Sequence, residues 1–178
     1  MSFLAKYTSR DLLYIAVMSA IGLAIKPVVT PLIHLVSAPL MIPGGSLAGG
    51  FYLLWMVLLI CIVRKTGAAV LMGITQALVM VGLGYFGSHG IVSLISYTLP
   101  AIVVEVIWLI SPLPNSSVTH SILCSTANMT GALIVTQLVM RLPLLPTIIS
   151  LIAAAISGII GGLISRKLYL ELKKYRLV

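Results

Sequence analysis

Between residues 66 and 140 the chain carries a single Asp, Glu, Lys or Arg, the glutamate at position 105. So long a stretch with one charge has too little polar surface to cover a core in water, and a bilayer is the solvent that suits it. The rest is of the same kind. Across 178 residues, 60% are hydrophobic and 8% charged, and the mean hydropathy is +1.19. These values lie outside the soluble globular range and indicate an integral membrane protein.

A helix needs about 20 apolar residues to cross a bilayer. Six segments approach that requirement: 11–25, 47–63, 67–85, 91–110, 121–140 and 147–164. The expected fold is an all-α integral membrane protein, a compact bundle of six transmembrane helices forming a single domain. Lys6 and Arg10 precede the first segment as they would in a signal peptide. No small-residue cleavage site ends it and further spans follow, so it reads as a retained span. Most connections are short. The exception is the first outer connection, residues 26–45, which carries Pro27, Pro31, Pro39 and Pro43. Proline removes a backbone donor and breaks helices, so a plain helix is not expected there. Non-helical backbone at membrane depth must be buried in protein or line a cavity, which makes this segment a candidate lid or gate.

Basic residues set the orientation. With both termini cytoplasmic, the inner side holds Lys6, Arg10, Arg64, Lys65, Arg166, Lys167, Lys173, Lys174 and Arg176, and the outer side only Lys26 and Arg141. That bias follows the positive-inside rule, although the connection between the fourth and fifth spans carries no lysine or arginine. Residues 166–178 read as a basic cytoplasmic tail. The net charge of +8 arises from these clusters at the membrane edge, so it speaks for lipid contact and calls for no nucleic acid.

Several chemistries lack their residues. There is no Gly-x-x-x-x-Gly-Lys-Ser/Thr phosphate loop and no His-Glu-x-x-His. His34, His89 and His120 are scattered, and Cys61 and Cys124 sit in apolar runs, so no metal site, cofactor or disulfide framework is suggested. One deep carboxylate is too few for most hydrolytic or phosphotransfer mechanisms, and the chain does not read as an enzyme.

Binding remains. A carboxylate inside the bilayer costs at least about 2.5 kcal/mol and usually faces a cavity, where it binds, pairs or relays. The competing reading of Glu105 is an internally hydrogen-bonded residue that joins two helices. Tyr97, Ala101, Glu105 and Trp108 fall at i, i+4, i+8 and i+11, on one helix face. Such a stripe suits a flat amino-substituted heterocycle, although Trp108 equally suits an interfacial belt. Tyr52 and Trp55 share a face of the second span. Gln76 and Asn128 are deep amides that either contact a ligand or join helices. Tyr85 and His89 sit in a glycine-rich outer turn that suits a pocket rim. Ala16, Ala20 and Ala24 form a smooth stripe on the first span, and Ala154, Gly158, Gly161 and Gly162 form another on the last.

Together these features resemble the substrate-binding S components of energy-coupling factor (ECF) transporters, and within them the thiamin and hydroxymethylpyrimidine-related group. The similarity runs through Gly50-Phe51-Tyr52-Leu53-Leu54-Trp55, Arg64-Lys65-Thr66-Gly67-Ala68-Ala69 and the Glu105 region ending in Trp108. It covers roughly residues 48–111; Thr66 stands where related proteins tend to have proline. The resemblance implies a subunit of a prokaryotic plasma membrane that captures a vitamin or precursor near the outer face. Thiamin or its aminopyrimidine moiety is the closest fit. The subunit would dock through Ala16, Ala20 and Ala24 onto a transmembrane T component served by two cytoplasmic ATPases. It would bind ligand through Glu105, Trp55, Tyr52, Tyr97, Trp108, Tyr85, His89, Asn128 and Gln76. A stand-alone carrier or channel, a scaffold subunit and an intramembrane enzyme are the alternatives.

Overall fold

A bilayer offers no hydrogen bonds to an exposed backbone, so an apolar chain of this kind must pair its own N–H and C=O groups, most simply in helices. The computed structural model describes residues 6–40, 42–84, 90–113 and 115–176. It is all-helical there, with helices α1 (Ser9–Ala24), α2 (Lys26–Ser37), α3 (Gly44–Val63), α4 (Ala68–Leu83), α5 (Val92–Ile110), α6 (Ser117–Ile134) and α7 (Leu144–Lys174). A π-helical turn, Val135–Val139, extends α6. Five stretches are long and apolar enough to cross a membrane: Ser9–Ser37, which takes in α1 and α2, Gly44–Val63, Val92–Ile110, Ser117–Val139 and Leu144–Lys174. Ala68–Leu83 is a shorter apolar helix. The all-α membrane architecture expected from hydropathy is the one observed.

The proline-rich connection corrects one expectation, because α2 is helical. Pro27 lies in the first turn of α2, where no amide donor is needed, and Pro31 costs only one interior hydrogen bond. Pro39 and Pro43 fall beyond the helix, and Pro43 caps α3. One helix therefore passes into the next at Ile25. Residues 166–174, read as a tail, continue α7.

α3 is the central helix, and every other α-helix packs against it. It is hydrophobic on all sides, as a fully surrounded helix must be. Leu54 and the run from Met56 to Cys61 are essentially inaccessible. Glycines bring its neighbours to backbone contact. A methyl on Gly50 would meet the Ser157 carbonyl, one on Gly161 the Gly50 carbonyl, one on Gly158 the Ser125 backbone and one on Gly162 the His120 carbonyl. The small-residue face of α7 thus packs inward on α3 and α6. With lipid outside as apolar as any side chain, this close packing is what holds the helices together. The outer surface is a belt of exposed leucine, isoleucine and valine.

The two ends of the bundle differ. At the basic end, Thr8 caps α1 with a reciprocal Asp11 contact, Asp11 pairs with Lys65 at 2.6 Å, and Tyr7 donates to the Thr66 carbonyl at 2.7 Å. Burial, followed by the nearby Glu105 and Asp11 carboxylates, pushes the Tyr7 phenol up to about 12, so it remains a donor. Arg64 closes α3 in a left-handed conformation (φ 51°) and reaches Tyr169 of α7 at 2.8 Å. The opposite end opens into a cavity.

Gly161→Val should cost more than the roughly 1–3 kcal/mol typical of overpacking, because the obstacle is backbone. Gly82→Ala, with nothing within 4 Å of the added methyl, should be neutral or stabilise α4 by up to about 1 kcal/mol. Size-exclusion profile and unfolding temperature in detergent distinguish them. A monodisperse, equally stable Gly161→Val chain would contradict the packing described.

Candidate functional site: a polar cavity at one end of the bundle

The cavity has a volume of about 390 Å³, within the range of small-molecule sites. It lies where α2, the N-terminal half of α3, the C-terminal half of α6 and the neighbouring turns of α4 and α5 meet. Lys26, Thr30, His34 and Ser37 reach it from α2 at spacings of four, four and three residues, which places them on one helix face. The other face of α2 presents Val28, Leu32, Leu35 and Val36 to the outside. The segment expected to be a non-helical lid is thus an amphipathic helix whose polar face lines the cavity.

Lys26 is the charged residue of this lining. Its ammonium donates to the Tyr97 hydroxyl at 2.6 Å, and its Nζ lies 3.9 Å from the Tyr97 ring centre and 5.2 Å from that of Tyr52. Both contacts are within cation–π range. The Tyr52 hydroxyl is 3.1 Å from Thr30 Oγ1, fastening α2 to α3. Asn128 donates to the Ser46 carbonyl at 3.3 Å and the Ala154 carbonyl at 2.9 Å, joining α6 to α3 and α7 while it borders the cavity. Gly49 leaves room for its amide oxygen. Gln76 borders the cavity from α4 and donates to the Ser19 carbonyl at 3.4 Å. Ser37 and Ser46, both fully buried on the lining, have hydroxyls without a hydrogen-bond partner among the described residues. Buried hydroxyls normally find a partner, so these two are exceptions.

Of the residues singled out in the sequence, Tyr52, Gln76, Tyr97 and Asn128 are brought together here. Tyr85 and His89 lie outside the described residues. Glu105 does not line the cavity. Its Oε1 accepts from the Gly67 N–H at 2.7 Å and its Oε2 from the Ala69 N–H at 3.1 Å, at the N-terminus of α4. Those donors have no partner within the helix, and the positive end of the helix dipole favours a carboxylate. Gly67, at φ 94°, makes the tight entry to α4 possible. The stripe containing Tyr97, Ala101 and Glu105 therefore packs chiefly on α4, where Gly73 leaves room for Ala101. Trp55 and Trp108 also lie off the lining and pack on the hydrophobic core. Ala16, Ala20 and Ala24 are exposed on α1.

Reading the sequence for a carboxylate passed over Lys26, Thr30, His34 and Ser37. The signal was present, since these four polar residues keep helical spacing through a segment whose prolines argued against a helix.

Glu105→Ala should destabilise the chain by about 1–3 kcal/mol by orphaning two amides, and Glu105→Gln by less. Neither should change the affinity of a ligand held in the cavity. Thermal unfolding and binding isotherms measured on the same samples check this. A binding loss with unchanged unfolding temperature would return Glu105 to the site.

Comparison with curated proteins and with solved structures finds no match. Residues 10–131 match the family described as ABC-type cobalt transport system, permease component. The match runs from the start of α1 to Gly131 in α6 and so takes in most of the cavity lining. The chain belongs to this permease family and is a membrane component of an ABC-type transporter.

Proposed function

We propose that the chain is the substrate-binding S component of an ECF-type ABC importer in a prokaryotic plasma membrane. In this reading the chain crosses the membrane six times, with α1 and α2 sharing one crossing and the shorter α4 making another, and the basic end with both termini is cytoplasmic while the cavity faces outward. The observation that carries the reading is the cavity itself, walled by five helices and lined by hydroxyls, amides and one ammonium inside an apolar bundle. Polar groups at such depth are costly and mark substrate sites. The exposed stripe of Ala16, Ala20 and Ala24 offers a smooth face for a T component, which two ATPases would serve.

The family's description names cobalt. The described lining offers one imidazole, His34, and no carboxylate or thiol, and no three His, Cys, Asp or Glu residues come together among the described residues. Hydroxyl and amide groups beside two tyrosines suit a small organic molecule better, such as a vitamin or its precursor. The aminopyrimidine moiety of thiamin fits Asn128 and Gln76 as hydrogen-bonding partners, whereas the thiazolium of intact thiamin would share the cavity with Lys26.

Affinity purification of the tagged chain from its native membrane should recover a T component and two ATPases. Ala20→Trp should lose them while keeping ligand affinity and an unfolding free energy within about 0.5 kcal/mol of the parent, as suits an exposed site. Liposomes containing the chain alone should accumulate no solute. Accumulation without partners would instead establish a stand-alone carrier.

A further inference from the structure

Lys26 faces the cavity without a counter-charge. Its contacts are a phenol hydroxyl and two aromatic rings, all neutral, and no aspartate or glutamate is among the described lining residues. An ammonium in an apolar bundle is expensive unless paired, and cation–π contact recovers only part of that cost. A second observation points the same way. The N-terminus of α3, at Gly44, Gly45 and Ser46, opens into the same cavity with no side-chain cap. The first turn of a 20-residue helix is its positive end, although the Ser46 N–H already donates to the Pro43 carbonyl at 2.9 Å. The partnerless hydroxyls of Ser46 and Ser37 lie there too, and Ser37 Oγ and His34 Cε1 would each be 3.4 Å from a methyl on Gly44. Lys26 opens α2 and Ser37 closes it, about 16 Å apart, so the lysine and the first turn of α3 are two separate positive points in one cavity.

We propose that the cavity is built for a small organic anion, with a carboxylate or phosphate ester of the ligand seated on the Lys26 ammonium. This rests on the chain being the binding subunit, and it narrows that reading to a charge class. The rings of Tyr52 and Tyr97 flank the ammonium and would contact a flat portion of the ligand, while Asn128 and Gln76 read its polar edge. Charge selection follows directly. A cationic ligand would meet the lysine and the helix dipole with the same sign, and a neutral one would leave the ammonium unpaired.

The test compares ligands matched in shape and different in charge, on the full chain in lipid nanodiscs. One series is the hydroxymethyl-aminopyrimidine half of thiamin, its monophosphate and intact thiamin. The other is pyridine-3-carboxylate, pyridine-3-carboxamide and its N-methylated cation. The phosphate and carboxylate arms separate the two kinds of anion. Thermal unfolding and isothermal titration should show binding led by an anionic member, about tenfold or more tighter than its neutral counterpart. Lys26→Met and Lys26→Gln should remove that preference without lowering the unliganded unfolding temperature, and Lys26→Arg should keep part of it. The charge ranking in the unsubstituted chain decides the matter even if a variant misfolds. Tighter binding of the neutral or cationic members overturns the anion assignment and leaves the binding-subunit reading intact. Silence across both series overturns both.

Discussion

The backbone contact between α3 and its neighbours α6 and α7 sets the geometry of the rest. Gly50 and Gly161 meet face to face, Gly158 and Gly162 lie on the backbone of α6, and none of these positions has room for a methyl group. In a bilayer no hydrophobic effect drives one helix onto another, so close van der Waals approach must supply much of the cohesion. Pulling the helices together about α3 leaves its central residues sealed and its outer neighbours facing lipid with aliphatic side chains. It also fixes where polar groups can be afforded. They occur where a backbone group needs a partner, or where helices diverge enough to leave space.

Both situations are present, at opposite ends. At the basic end, polar residues close the chain on itself: Asp11 with Thr8 and Lys65, Tyr7 with Thr66, Arg64 with Tyr169, and Glu105 with the first amides of α4. At the far end α2 lies along α3, and polar side chains from five helices surround a space. Asn128 illustrates the difference within a single residue. Its amide hydrogens tie α6 to α3 and α7, and it still borders the cavity.

Much of the fold was legible because hydropathy and the absence of charge are decisive in a membrane chain; α3 and α5 could be placed from these alone. The small-residue faces were equally visible, and their two fates separated only in three dimensions. The glycines of α7 turn inward, whereas the alanines of α1 remain outside. One feature misled, and another had two readings. The prolines of the connection argued against a helix, yet Pro27 and Pro43 occupy terminal positions where a missing donor costs nothing. Glu105 drew attention as the lone deep acid, yet its depth matched the first turn of α4, and no sequence spacing relates residue 105 to the amides of residues 67 and 69. Tyr52, Tyr97, Gln76 and Asn128 were recognisable as polar groups inside spans, but only the packing shows that they converge.

A permease-family chain with a sealed centre, a self-paired basic end and a polar cavity at the other end would, on the function proposed above, hold a solute within a larger ABC-type assembly. Native mass spectrometry of the chain ejected directly from its own membrane tests that organisation most directly. The account predicts one small molecule per chain, retained in Glu105→Gln and lost when Thr30→Trp fills the cavity from α2. A bound solute that survives Thr30→Trp but disappears with Glu105→Gln would contradict it and place the site at the basic end.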